Sequence, residues 1–239
     1  MITLKTITTI ELSSVCNLAC KYCINRLLVK HPDRDAGIMT NSVFERSLHW
    51  LKILCDRGTQ QEINLNGNGE SCLDPDLIER IKRVRAVVDD RRVCFSTNGV
   101  NMTRGLAKDL KDSGIDQIDL SIHSPFHVRR SAYIMHNAGL KGVVNLGAVL
   151  YSHNWAGQLE PENSIDVKLK IQCDPLIDGR GYIQSEGNVT PCCYDYRNLG
   201  VFGHVFDDDL LKREIKPYEL CETCHQTIPE YILNGREVA

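Results

Sequence analysis

No stretch of this chain approaches the ~18 consecutive apolar residues of a membrane-crossing helix, so a bilayer-spanning role is not expected. The opening residues, Met1 to Thr6, lack the basic start and apolar centre of a secretory signal. Neither sign of charge is in excess: 28 basic and 31 acidic side chains leave a formal net charge of −3. The overall composition therefore carries no nucleic-acid footprint and no attraction to anionic membranes. There is no internal repeat and no low-complexity linker. With 239 residues, 42% of them hydrophobic, the chain has material for one sizeable core with a small appendage. Cysteine, by contrast, is abundant. Eleven cysteines in a chain without an export signal argue against disulfides and for metal or redox use, which points to the reducing cytoplasm.

Cys16, Cys20 and Cys23 stand at C-x3-C-x2-C spacing, which sets three thiolates in one short loop. Three is one too few for a closed zinc site and one too few for a fully ligated [4Fe–4S] cluster. A cubane held by three cysteines keeps one iron open to a small molecule.

The pattern around this loop reads as alternating strands and helices. Strands are predicted at Thr6 to Leu12, Gln61 to Asn66, Arg92 to Ser96, Asp116 to Ile122, Gly142 to Leu150 and Ile165 to Ile171. Leu27 to Ala36 is basic and turn-rich, hence loop. Thr40 caps a helix running to Asp56, with Val43, Leu48, Leu51 and Leu54 on its buried side. Asp74-Pro75 opens a second helix reaching Val88, Thr103 to Ser113 forms a third, and Phe126 to Asn137 a fourth. Such βα units make a parallel sheet, whose ligands bind at the carboxyl ends of the strands. Every end has something to offer: the cysteine loop, Gly67-Asn68-Gly69-Glu70, Ser96-Thr97-Asn98-Gly99, Ser121-Ile122-His123-Ser124 and Cys173. That common rim predicts one active site. Taken singly, each motif is as readily an ordinary turn.

After Ile171 the character changes. Tyr182 to Ser185 and Val189-Thr190, around Glu186-Gly187-Asn188, read as a hairpin delivering Pro191-Cys192-Cys193. Cys221 and Cys224 form a C-x2-C before a helical segment at Ile228 to Leu233. Cys173, Cys192 or Cys193, Cys221 and Cys224 thus make a second group in a region with little apolar surface of its own, where a metal or cluster supplies cross-links. Four thiolates suit either zinc, slightly favoured on the residues alone, or a fully ligated [4Fe–4S] cluster.

The three-cysteine loop, with Tyr22 just before its last cysteine, resembles that of the radical S-adenosylmethionine (SAM) enzymes. The second group resembles their "twitch" or shortened SPASM appendage. The resemblance implies an α/β fold: a partial (β/α)6 barrel over residues 1–171, and over 172–239 a cysteine-rich β-hairpin-plus-helix appendage. It implies that a cluster on Cys16, Cys20 and Cys23 binds SAM at its open iron, reductively cleaving it to a 5′-deoxyadenosyl radical. Cys173, Cys192, Cys221 and Cys224 then hold an auxiliary [4Fe–4S] cluster, the cysteine directly after proline being the ligand. Gly67, Asn68, Gly69 and Glu70 match the glycine-glycine-glutamate motif that receives the SAM amino group, with Asn68 in place of a glycine and Ser71 in place of a proline. The glycines would let carbonyls approach the ammonium, and Asn68 tolerates a left-handed backbone. By position, Ser96 and Asn98 fall to the methionine carboxylate, Ser121 to the ribose or carboxylate, and Tyr22 with Gly147 to Val149 to the adenine.

The short chain, truncated barrel and four-cysteine appendage resemble the radical SAM dehydrogenases of aminoglycoside biosynthesis. This implies hydrogen-atom abstraction followed by two-electron oxidation, with the auxiliary cluster as electron acceptor and His123 or His127 as a candidate base. A small-molecule or peptide substrate and a reductase such as flavodoxin or ferredoxin are the implied partners. Arg129, Arg130, Arg180, Arg197, Tyr194 and Tyr196 flank predicted mouth regions. Two alternatives stand beside this: epimerisation or cross-linking of a ribosomal peptide, with Cys193 or Cys72 as hydrogen donor, and a zinc-stabilised binding module without catalysis. Cys55 and Cys94 suit buried packing roles.

Overall fold

A computed structural model describes residues 1–20, 23–28, 34–123, 125–140, 144–147, 156, 158, 173–222 and 224. The strands are β1 Ile2–Thr3, β2 Thr6–Ile10, β3 Ile63–Asn64, β4 Val93–Thr97, β5 Gln117–Ser121, β6 Val144–Gly147, β7 Arg180–Ile183, β8 Asn188–Thr190, β9 Gly203–His204 and β10 Glu214–Ile215. The helices are α1 Asn25–Leu28, α2 Asn41–Asp56, α3 Leu77–Val88, α4 Arg104–Lys111, α5 Pro125–Asn137, α6 Asp174–Asp178 and α7 Glu219–Glu222. The result is an α/β fold around one eight-stranded sheet, ordered β6-β5-β4-β3-β2-β7-β8-β9, with β1 and β10 in a separate antiparallel ribbon.

Pairing from β6 through to β7 is parallel, and only β8 and β9 run antiparallel. Parallel strands covered on both faces read as near-continuous apolar runs. Accordingly Val93 and Phe95 of β4, like Ile7 and Ile10 of β2, are buried. Helix α2 begins where Thr40 accepts the Val43 amide proton (3.4 Å) and buries Val43, Leu48, Leu51 and Leu54 as its spacing requires. Thr103 caps α4 in the same way, through Leu106 N (3.1 Å). Among the described residues no helix is long and apolar enough to cross a membrane.

Three expectations need correction. The helix assigned to Asp74-Pro75 starts at Leu77. Asp74 instead accepts from Asp76 N (3.0 Å) and pairs with Arg80 (3.2 Å), holding a turn ahead of α3. The basic loop from Leu27 is partly helical, since α1 runs to Leu28. The hairpin, with Gly187 at φ +101°, is as expected, but its first strand lies parallel on the free edge of β2, so the sheet continues into the C-terminal region. Residues 165–171 and 228–233, given to a sixth strand and a terminal helix, lie outside the described residues.

Candidate active site and cysteine cavity

The cysteine loop hangs from the carboxyl end of β2. Ser14 donates to Gly37 O (3.1 Å), Asn25 Nδ2 donates to Ser14 O (2.7 Å), and Glu70 N donates to Val15 O (2.9 Å). Backbone N–H groups address two of the sulfurs: Leu18 N to Cys16 Sγ (3.4 Å) and Asn25 N to Cys23 Sγ (3.5 Å). Asn98 Nδ2 lies 3.8 Å from Cys16 Sγ. Such donors stabilise negative charge on sulfur. Burial, with Glu70 and Cys20 nearby, raises the Cys16 thiol pKa above its usual range. Cys20 Sγ lies 3.8 Å from His123 Nδ1, and burial lowers the imidazole pKa. Among the described residues no three ligating side chains already stand at single-ion geometry.

The Gly67–Glu70 turn packs against this loop, for reasons that differ from the expected ones. A Cβ on Gly69 would run into the Ser13 and Val15 carbonyls, and one on Gly67 into Tyr182 and Glu11. These glycines give room to protein atoms. Neither they nor Asn68 adopts positive φ, so tolerance of left-handed backbone is not what keeps the turn. Glu70 is buried, and its carboxylate accepts from Cys72 N (3.1 Å), Thr97 Oγ1 (2.7 Å) and Asn98 N (2.8 Å). It ties the ends of β3 and β4 together. We expect Gly69→Ala to cost at least about 2 kcal/mol, since its contacts are backbone and cannot swing aside. A urea midpoint unchanged from the parent would contradict this.

The other rim residues are also placed. Asn98 Nδ2 donates to Asn17 Oδ1 (2.7 Å) and its Oδ1 accepts from Val100 N (2.9 Å), so its side-chain amide serves the cysteine loop. Ser96 sits at the end of β4, its N–H on Asn66 Oδ1 (2.9 Å). Ser121 ends β5 in register with Gly147. Cys72 Sγ lies 3.4 Å from Thr97 Oγ1, and burial, then the Glu70 charge, pushes its thiol well above the usual range. Tyr22 and Val149 lie outside the described residues. Arg129 and Arg130 line a surface groove with α4.

Farther along, a small apolar cavity of about 20 Å³ is lined by Cys173, Cys192, Cys221 and Cys224 among others. Cys193 is exposed as a residue and is not among the cavity's lining residues, but its thiol hydrogen-bonds the Cys192 thiol and stands near Cys224 and Cys173. Cys173 precedes α6 and Cys221 lies in α7. Burial pushes both thiols up to about 11. Tyr218 completes the wall. Its buried hydroxyl lies beside the Cys192 thiol. Four thiols around one apolar space are the donor set of a tetrathiolate group.

Sequence reasoning missed Glu11. It is buried, and one carboxylate accepts from four donors: Arg34 Nη2 (2.7 Å), Tyr182 Oη (2.8 Å), Asn68 N (2.8 Å) and Ser185 N (3.1 Å). Arg34 also pairs with Glu186 (2.6 Å). Burial disfavours the Arg34 charge, but Glu11 and Glu186 outweigh it and raise the pKa. The signal was a lone acid between Ile10 and Leu12, within an apolar run.

A family model described as the radical SAM superfamily matches residues 10–144. A GTP 3′,8-cyclase of Aquifex aeolicus is 26% identical over 238 residues, covering 93% of this chain and 69% of that protein. One from Synechococcus elongatus is 32% identical over 115 residues, 48% of this chain and 33% of its own length. One from Helicobacter pylori is 30% identical over 115 residues, 48% of this chain and 34% of its own. The matched segment thus spans only about a third of those last two relatives. The crystal structure of BtrN in complex with AdoMet and 2-DOIA superposes with a TM-score of 0.71 at 21% identity, covering 87% of this chain and 82% of that one, a likeness of fold.

Proposed function

The chain belongs to the radical SAM superfamily, and from that premise we propose that it uses SAM to oxidise a substrate by two electrons. In this reading Cys16, Cys20 and Cys23 hold a [4Fe–4S] cluster, and Cys173, Cys192, Cys221 and Cys224 hold an auxiliary one. Strands β2 to β6 with their helices form the partial barrel, and the chain from Cys173 onward forms a twitch-type appendage. When bound, the first cluster supplies the electron that cleaves the SAM sulfonium, and the second accepts one from the substrate after hydrogen-atom loss. The remaining proton goes to a base, for which His123 is the rim candidate. Glu70, Ser96, Asn98 and Ser121 are proposed to orient SAM, directly or through the loop they fix. A small-molecule or peptide substrate and a cytoplasmic setting complete the proposal.

The observation that carries the oxidation is the cavity, because four thiols converge there and leave no spare ligand position. Anaerobically reconstituted protein should hold iron and sulfide near eight per chain for two cubanes. Cys192→Ala should lose about half of this, whereas Cys193→Ala should keep it all. Retention of full iron by Cys192→Ala, or two zincs in a colourless protein, would exclude the assignment. Product two mass units lighter than substrate identifies oxidation. Unchanged mass with deuterium gained from solvent would instead favour epimerisation, for which the protonated Cys72 thiol is a suitable donor. Incubation with GTP checks the activity named for the curated relatives.

A further inference from the structure

Helices α4 and α5 pack side by side, and their outer faces enclose two contiguous recesses of about 830 and 530 Å³ that share Arg104, Tyr133 and Ile134. The walls are cationic. Arg104, Lys108 and Lys111 follow one another at four- and three-residue spacing, which stacks them on one face of α4. Arg129 and Arg130 face them from α5. None of these five has an ion-pair partner among the described residues, and Asp112 is the lining acid. Between the cations stand two large aromatics open to solvent, Phe126 at 71% and Tyr133 at 65% exposure. A chain of net charge −3 has thus gathered positive charge and exposed aromatic surface in one place. That combination marks a recognition surface.

Its location suggests what is recognised. Asn101, three residues before α4, accepts a hydrogen bond from Asn17 of the cysteine loop (3.1 Å). His123, two residues before α5, lies 3.8 Å from Cys20. The segments leading into both helices therefore touch the three-cysteine loop, and the upper recess, lined by Thr103, Arg104 and Phe126, lies at that end of the pair. We propose that this groove is the docking face for an acidic one-electron-donor protein. The inference rests on the reading that Cys16, Cys20 and Cys23 hold a cluster. In each docking event the donor is oxidised by one electron and the cluster is reduced by one, with no atom transferred. Cations of the groove draw in the acidic donor and fix its orientation, and Phe126 and Tyr133 supply the desolvated contact.

The test compares the parent with the triple variant Arg104→Glu, Lys108→Glu and Lys111→Glu, each residue exposed on α4. Reduced flavodoxin is the protein donor and dithionite the small one. Flavodoxin-driven formation of 5′-deoxyadenosine should fall at least about tenfold, with the dithionite-driven rate unchanged. By calorimetry, the flavodoxin Kd should rise at least about tenfold and lose its salt dependence. The milder Phe126→Ala and Tyr133→Ala pair should weaken binding without altering that salt dependence. An unchanged Kd and unchanged flavodoxin-driven rate in the triple variant would overturn the proposal. So would single-stranded RNA displacing flavodoxin from the parent, since the face would then serve nucleic acid. If dithionite gives no 5′-deoxyadenosine even with the parent, the cluster reading fails, and the binding isotherms still decide the groove.

Discussion

Cys20→Ala, reconstituted without oxygen, will form no measurable 5′-deoxyadenosine from SAM under dithionite, a loss of at least ~10³-fold. It will hold about four irons instead of about eight. Two thiolates cannot retain a cubane that already lacks a fourth protein ligand, so loss of one ligand removes the group and not merely its tuning. Cys20 separates this effect from unfolding. It is only half-buried and lies outside the apolar core, and its loop is fastened elsewhere, through Ser14, Asn25 and the Glu70 N–H to Val15 O bond. The melting temperature of the metal-free protein should therefore stay within about 2 °C of the parent, as for a surface substitution. Cys193→Ala removes a thiol that neighbours Cys192 but is not assigned an iron, so as the control it should keep its iron. Continued SAM cleavage by an iron-depleted Cys20→Ala protein would end the assignment.

Spacing and periodicity carried most of the frame. A three-then-two cysteine spacing, a threonine cap at Thr40 and glycine punctuation after each strand are local signals, and local geometry follows from them. The helices came within a few residues for that reason, as did the hairpin around Gly187. The four-cysteine group was legible because its members have few other uses in so polar a segment. What escaped was non-local. The parallel pairing of β7 on β2 joins residues more than 170 apart, and no local pattern announces it. Sequence shows the missing side chains of Gly67 and Gly69 but not the Tyr182, Glu11, Ser13 and Val15 atoms that fill their places. The groove between α4 and α5 was hidden by an almost balanced net charge, which averages over the cations that one helix face concentrates.

Glu11→Gln will be the most destabilising single substitution at the rim, costing about 3–5 kcal/mol. At this chain length that corresponds to a melting temperature lower by about 10 °C. The change is nearly isosteric, so packing is not at issue. The carboxylate accepts four hydrogen bonds in a buried site, and an amide nitrogen in place of one oxygen would face two donors. Arg34 would keep Glu186 but lose its closer-buried counter-charge. The same carboxylate touches the Gly67–Glu70 turn through Asn68 N and the β7–β8 hairpin through Ser185 N and Tyr182, so its loss loosens both at once. SAM affinity and hairpin protection from hydrogen exchange should therefore fall together. A buried ion pair is not in itself a source of stability, and replacing both partners by apolar side chains is often near neutral. Glu11→Leu combined with Arg34→Met should accordingly lose less than the sum of the two single changes, yet still bind SAM weakly, because the turn has lost its acceptor. If Glu11→Gln melts with the parent and exchanges the hairpin amides no faster, the carboxylate is a passenger and the coupling between turn and hairpin must run through the sheet alone.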